Sequence, residues 1–173
     1  MDQPLPAPAA PTGYRIGSGD VLSIHVWKEP DVTVPAVTVR SDGKISLPIV
    51  KEVEATGLTP AELEASLTEK LARFISAPEV TVVVREIHSE KVYLVGGVKR
   101  EGSMVMKYPM TVLQVLAEAG GLTDFAKKKK IYLLRTENHQ QRRLRFDFEA
   151  VIKGERPEQN ILVKPGDTIV VPQ

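Results

Sequence analysis

At 173 residues, with 23 basic and 22 acidic side chains and a net charge of +1, the chain has room for one domain or two small ones and carries no overall field to attract nucleic acid or an anionic membrane. It contains no cysteine, which excludes disulfides and thiolate metal sites. No run approaches the ~20 apolar residues of a membrane-spanning helix, and no charged-then-apolar export signal opens the chain.

Residues 1 to 13 are rich in proline and alanine and are expected to form an extended, disordered lead, of the kind left behind when an export signal is removed. Next comes Ile16-Gly17-Ser18-Gly19-Asp20-Val21-Leu22-Ser23-Ile24, a phrase that returns near the other end as Val163-Lys164-Pro165-Gly166-Asp167-Thr168-Ile169-Val170-Val171. In both, a turn closed by Gly-Asp leads into alternating apolar residues. The glycine supplies a turn conformation and the aspartate an acceptor for a backbone N–H, so Gly19, Asp20, Gly166 and Asp167 are read as structural turns opening two related strands.

Leu22, Ile24 and Val26 alternate with Ser23, His25 and Trp27, which predicts a strand with one aliphatic face. Val37 and Val39 mark a second strand. Asp42-Gly43 is expected to turn it back as a hairpin into Ile45-Ser46-Leu47. Thr59-Pro60-Ala61-Glu62 combines an N-cap, a proline at the first helical position and a capping-box glutamate, and Leu63, Leu67, Leu71 and Phe74 then predict one buried helical stripe. Pro78 ends it, and Val80, Val82 and Val84 form the next strand.

After a polar joint at residues 86 to 91, Val92 to Val95 predict a strand that turns at Gly96-Gly97 and Glu101-Gly102 into residues 103 to 107. Thr111 with Gln114 forms a second capping box. Gly120-Gly121 closes that helix where a left-handed C-cap is needed. Residues 131 to 134, 144 to 148 and 169 to 171 read as further strands, and the whole fits an α+β fold of mostly antiparallel sheets, each with a packed helix.

No catalytic constellation is visible. His25, His88 and His139 sit in unrelated segments, Gly96-Gly97 lacks the remainder of a phosphate loop, and Glu62 and Glu64 point about 200° apart on a helix. No metal, no cofactor and no enzymatic activity are expected. Trp27 and Tyr93 offer faces on which a sugar could stack, but burial tendencies assign both to the core. The conspicuous charge run Lys127-Lys128-Lys129-Lys130 reads either as a solvated strand entrance or as a basic rim for an anionic polysaccharide or acidic partner, with Arg100 as a further candidate contact and Arg142, Arg143 and Arg145 on the same face.

Several of these stretches together resemble a known family. Gly19-Asp20 with Val26-Trp27, the run Val39-Arg40-Ser41-Asp42-Gly43-Lys44-Ile45-Ser46-Leu47-Pro48, the helix around Leu63 and Ala77-Pro78-Glu79-Val80-Thr81-Val82 are similar to the export domain of bacterial outer-membrane polysaccharide export proteins. The stretch from Lys91, with Gly96-Gly97 and Thr111 to Thr123, resembles their soluble-ligand-binding β-grasp domain. On that resemblance, 14–88 is the export domain and 89–173 the β-grasp domain.

The resemblance implies a periplasmic, outer-membrane-associated structural subunit of a capsular or exopolysaccharide export conduit. Such subunits form rings, best known as octamers, and work with an inner-membrane polysaccharide co-polymerase. Family members also carry a lipid-bearing cysteine and, when larger, a C-terminal amphipathic pore helix; this sequence has neither, so it is expected to be soluble, to self-associate weakly and not to form the membrane pore itself. Glu101-Gly102 stands where the family usually has Pro-Gly. The alternative reading is a periplasmic β-grasp module that captures a glycan or other ligand without forming a conduit.

Overall fold

The computed structural model describes residues 13 to 173, and within it the chain divides into two compact units, the first ending at Ser89 and the second beginning at Glu90. Helices and largely antiparallel sheets are mixed in both, so the fold class is α+β. Among the described residues no helix is long and apolar enough to cross a membrane.

In the first unit, strands β1 (Val21–Val26), β2 (Val34–Thr38), β3 (Lys44–Leu47) and β4 (Lys51–Glu54) precede helix α1 (Pro60–Leu71) and strand β5 (Val80–Glu86). The central strand β1 pairs antiparallel with β2 on one side and β5 on the other, while β3 and β4 form a separate two-stranded ribbon. Period-two alternation sends Leu22, Ile24 and Val26 inward, where Leu63 and Leu67 of α1 meet Leu22, Ile24, Ile45 and Val53 in one core. The Thr59 hydroxyl accepts the Glu62 amide and the Glu62 carboxylate accepts the Thr59 amide, so the capping box starts α1 as its sequence requires.

Two expectations about the elements fail in this unit. Phe74 is not part of the buried stripe: α1 ends at Leu71, the Phe74 amide closes a tight turn onto the Leu71 carbonyl, and the ring is left exposed. The Asp42-Gly43 turn is present, with the Gly43 amide donating to the Arg40 carbonyl at 2.9 Å, but it does not join β2 and β3 as a hairpin. Strand β2 stays with β1, and β3 finds its partner in Lys51–Glu54, a short segment with a single buried residue, Val53, that carries almost no apolar pattern.

The second unit contains β6 (Lys91–Gly96), β7 (Gly102–Val105), α2 (Val112–Glu118), β8 (Ile131–Glu137), β9 (Gln140–Phe146), α3 (Phe148–Ile152), a 3₁₀ turn at Pro157–Gln159 and β10 (Thr168–Val171). Its five-stranded sheet has the order β7-β6-β10-β8-β9, and β10 with β6 is its parallel pair. Val92, Leu94, Ile131, Leu133, Phe146 and Ile169 line the inner face against Val112, Val115 and Leu116 of α2. The second capping box forms at Thr111 and Gln114.

Helix α2 closes with the Gly121 amide donating to the Leu116 carbonyl and the Gly120 amide to that of Ala117, both at 2.9 Å, a Schellman ending with Gly120 at φ +84°. The strand expected over residues 144 to 148 begins earlier and stops at Phe146. Asp147 ends it by capping α3, accepting the Ala150 amide at 3.1 Å.

Candidate functional site

The two Gly-Asp turns are buried polar corners. Gly19 and Gly166 take positive φ of +92° and +86°, and the following aspartates are the two buried polar or charged residues among those described, at 0% and 1% exposure. Asp20 accepts five hydrogen bonds: from the Tyr14 hydroxyl at 2.5 Å, the Gly17 amide at 2.8 Å, the His88 amide at 2.7 Å, and the Ser89 amide and hydroxyl at 2.8 Å each. Burial by itself pushes the Asp20 carboxyl up, but the Tyr14 hydroxyl, the Gly17 and His88 amides and the Ser89 hydroxyl outweigh it and hold the group below its ordinary value. Asp167 is served differently. It takes the Arg135 guanidinium through Nε at 3.0 Å and a terminal nitrogen at 2.7 Å, plus the Lys164 amide at 2.8 Å. Both carboxylates are saturated by the fold, which leaves neither free for acid–base work.

Glu62 and Glu64 are likewise committed to backbone amides. The first closes the α1 cap and the second accepts the Val82 amide of β5 at 2.8 Å. The remaining turn glycines sit where the sequence puts them, with Gly43 at φ +83° and Gly121 at φ +89°. His25 lies in β1, His88 after β5, and His139 in the turn between β8 and β9.

Both aromatic candidates overturn the expectation of core burial: Trp27 is 59% exposed and Tyr93 44%. Strand alternation explains both. Trp27 continues the face of Ser23 and His25, opposite Leu22, Ile24 and Val26, and Tyr93 lies opposite Val92 and Leu94. The face a residue occupies overrides the general tendency of its type.

The lysine run is exposed throughout and leads into β8, but its members do not act together. The Lys127 ammonium donates to the Gln173 carbonyl at 2.5 Å. Lys129 and Lys130 instead line a groove on the outer face of the β8–β9 hairpin with Tyr132, Arg143 and Arg145. Register creates this grouping: Tyr132 pairs with Arg145 and Leu134 with Arg143, while Ile131–Phe146 and Leu133–Leu144 face the core. Arg143 stacks over the Tyr132 ring at 3.9 Å.

Arg142 corrects the expected positive face. Paired with Arg135, it falls on the opposite side of the hairpin and reaches Glu137 at 3.7 Å. Arg100 is also separate, donating to the Glu118 carbonyl beside a shallow pocket with Tyr108 and Gln114. Asn138 and His139, both at positive φ, form the two-residue turn that sets the register. That Asn-His pair was the signal in the sequence that would have gathered Tyr132, Arg143 and Arg145.

A family model described as polysaccharide biosynthesis/export protein matches residues 8–85, and an SLBB domain model matches residues 91–145. Among curated proteins, the EPS I polysaccharide export outer membrane protein EpsA of Ralstonia nicotianae is 30% identical over 194 residues, covering 98% of this chain and 49% of that protein. The capsule polysaccharide export protein BexD of Haemophilus influenzae is 27% identical, with 91% of this chain and 43% of that protein aligned. The capsule polysaccharide export outer membrane protein CtrA of Neisseria meningitidis is 25% identical, with 94% and 45%. The chain spans about half the length of the curated relatives it matches.

Proposed function

Since the chain belongs to the polysaccharide biosynthesis/export family and carries an SLBB domain, we propose that it is a non-enzymatic structural subunit of a conduit that exports a capsular or extracellular polysaccharide. The observation that carries this reading is the ordered pair of matches, 8–85 then 91–145, each falling on one of the two compact units. In this reading the first unit is the export domain and the second the ligand-binding β-grasp domain. The chain works in the periplasm against the outer membrane, copies pack side by side into a ring, and an inner-membrane co-polymerase docks on that ring.

The polar groups support a scaffold role. The most buried carboxylates hold corners together, and Glu62 and Glu64 hold backbone amides. The test is photo-crosslinking in the bacterium that carries the gene, with crosslinkers at exposed positions of both units. The expected result is a ladder of self-linked species together with a band linked to an inner-membrane protein of the polysaccharide locus. Crosslinks at every position to neither copy nor co-polymerase would overturn the conduit assignment.

A further inference from the structure

We infer that the outer face of the β8–β9 hairpin is a binding groove for uronate residues of an acidic polysaccharide. Four cations, Lys129, Lys130, Arg143 and Arg145, line this groove in a chain whose net charge is only +1. Among the described residues Glu149 is the carboxylate that reaches the group, 3.4 Å from Lys129 in an exposed pair worth little. Among the described residues no carboxylate lies within ion-pair distance of Arg143, Arg145 or Lys130. Like charges gathered without counter-charge repel, and an anion laid along the groove relieves that repulsion.

The groove is more than a patch of mobile cations. Arg143 lies over the Tyr132 ring, its Cζ 3.9 Å from the centroid, a cation–π contact that restrains the guanidinium, whose fork of N–H donors suits a carboxylate. Arg145, two residues along the same strand, lies about 7 Å further on the same face. Beside these cations the outer face of the sheet turns apolar. Tyr132 pairs with Val170 and Val170 with Val95, while Leu134 pairs with Thr168 and Thr168 with Tyr93. Tyr93 and Val95 are each about half exposed, at 44% and 51%.

A uronate residue has the complementary surface: a C–H ring face that suits aromatic and aliphatic side chains, and a carboxylate on the ring edge for the guanidinium fork. An acidic polypeptide has the carboxylates without that alternation of ring face and charged edge, so the arrangement favours the saccharide. The assignment rests on the export reading for the origin of the glycan, but its chemistry is independent of whether a ring forms.

The experiment measures binding of the purified chain to polygalacturonate, with dextran as a neutral polysaccharide and polyglutamate as an acidic polypeptide, at about physiological ionic strength. Polygalacturonate is expected to bind at least tenfold tighter than polyglutamate, and dextran not measurably. Arg143→Gln with Arg145→Gln is expected to weaken that binding at least tenfold; Lys127→Gln with Lys128→Gln removes the same charge outside the groove and is expected to leave it unchanged. Arg143→Lys with Arg145→Lys keeps the charge, loses the fork and is expected to fall between.

Equal losses in the two glutamine pairs reduce the site to general electrostatics and overturn the proposal. Polyglutamate binding as tightly as polygalacturonate overturns it in favour of an acidic protein partner, and no binding of polygalacturonate overturns it outright. If deleting the gene leaves surface polysaccharide unchanged, the export reading fails while the binding result stands.

Discussion

Asp20 and Asp167 hold the same corner in two different units. Each accepts the amide of the residue three positions earlier, Gly17 or Lys164, at 2.8 Å, and each donates its own amide back to that residue's carbonyl, at 3.2 and 3.1 Å. The corners differ in what else they collect. Asp20 ties down the His88 and Ser89 amides after β5, and Asp167 neutralises Arg135 on β8. The repeated phrase in the sequence is thus one local device used to anchor two different neighbours.

Asp20→Ala leaves several buried donors unmet and is expected to cost at least about 3 kcal/mol in the first unit. Trp27 is the single tryptophan and lies directly after β1, so denaturant unfolding followed by its fluorescence reads this unit alone. A loss below about 0.5 kcal/mol would mean that water satisfies those donors without the carboxylate.

The same carboxylate sets a pH dependence. Its value in the folded state lies below the ordinary 3.8, so its stabilising contribution is complete above that pH and is lost as pH falls through the folded value. Between pH 6 and pH 2 the Trp27-monitored stability of the wild type should fall more steeply than that of Asp20→Asn. Parallel curves would show that Asp20 is not the group responsible.

For Asp167, removing the carboxylate strands the Arg135 guanidinium, whose side chain is 12% exposed, and the expected cost of Asp167→Ala is about 3 to 5 kcal/mol. Arg135→Met combined with Asp167→Ala should recover part of this loss, because the uncompensated charge is gone. Hydrogen exchange of the β8 and β10 amides measures both variants, and additive losses in the double variant would contradict a coupled pair.

Gly96 and Gly120 separate two reasons for glycine. A Cβ at Gly96 would stand 2.1 Å from the Val171 carbonyl oxygen, across the parallel pair of β6 and β10, and the residue is also at φ +95°. At Gly120 the nearest atom is an ordinary 3.5 Å away, so only its φ of +84° resists substitution. Gly120→Ala should cost about 1 kcal/mol and Gly120→Val about 1 to 2, with Gly96→Ala exceeding both in thermal unfolding. Equal losses for the two alanine variants would show that the Val171 backbone yields to the added methyl.

What could be read in the sequence were features whose cause is local. Thr59 with Glu62, Thr111 with Gln114, Gly120-Gly121 and the two Gly-Asp corners each rest on hydrogen bonds within a few residues, and each formed where its residues stand. Other features needed partners from elsewhere: strand β4 carries one buried residue and exists because β3 pairs with it. Asp147 is the local exception, a helix cap made to the Ala150 amide three residues on but hidden by the alternation of Leu144, Phe146 and Phe148, which reads as one strand. The groove of Lys129, Lys130, Tyr132, Arg143 and Arg145 depends on a hairpin register set at Asn138-His139, one residue of slip in which would send both arginines to the core side.

The central claim is that this chain carries polysaccharide out of the cell rather than making it, and the direct measurement is where the polymer accumulates when the gene is deleted. Total polymer and surface polymer are quantified in the wild type, the deletion and the deletion supplied with the gene. Loss of surface polymer while polymer is still found inside the cell envelope, reversed by the restored gene, is the expected result. Surface polymer unchanged by the deletion would contradict the account.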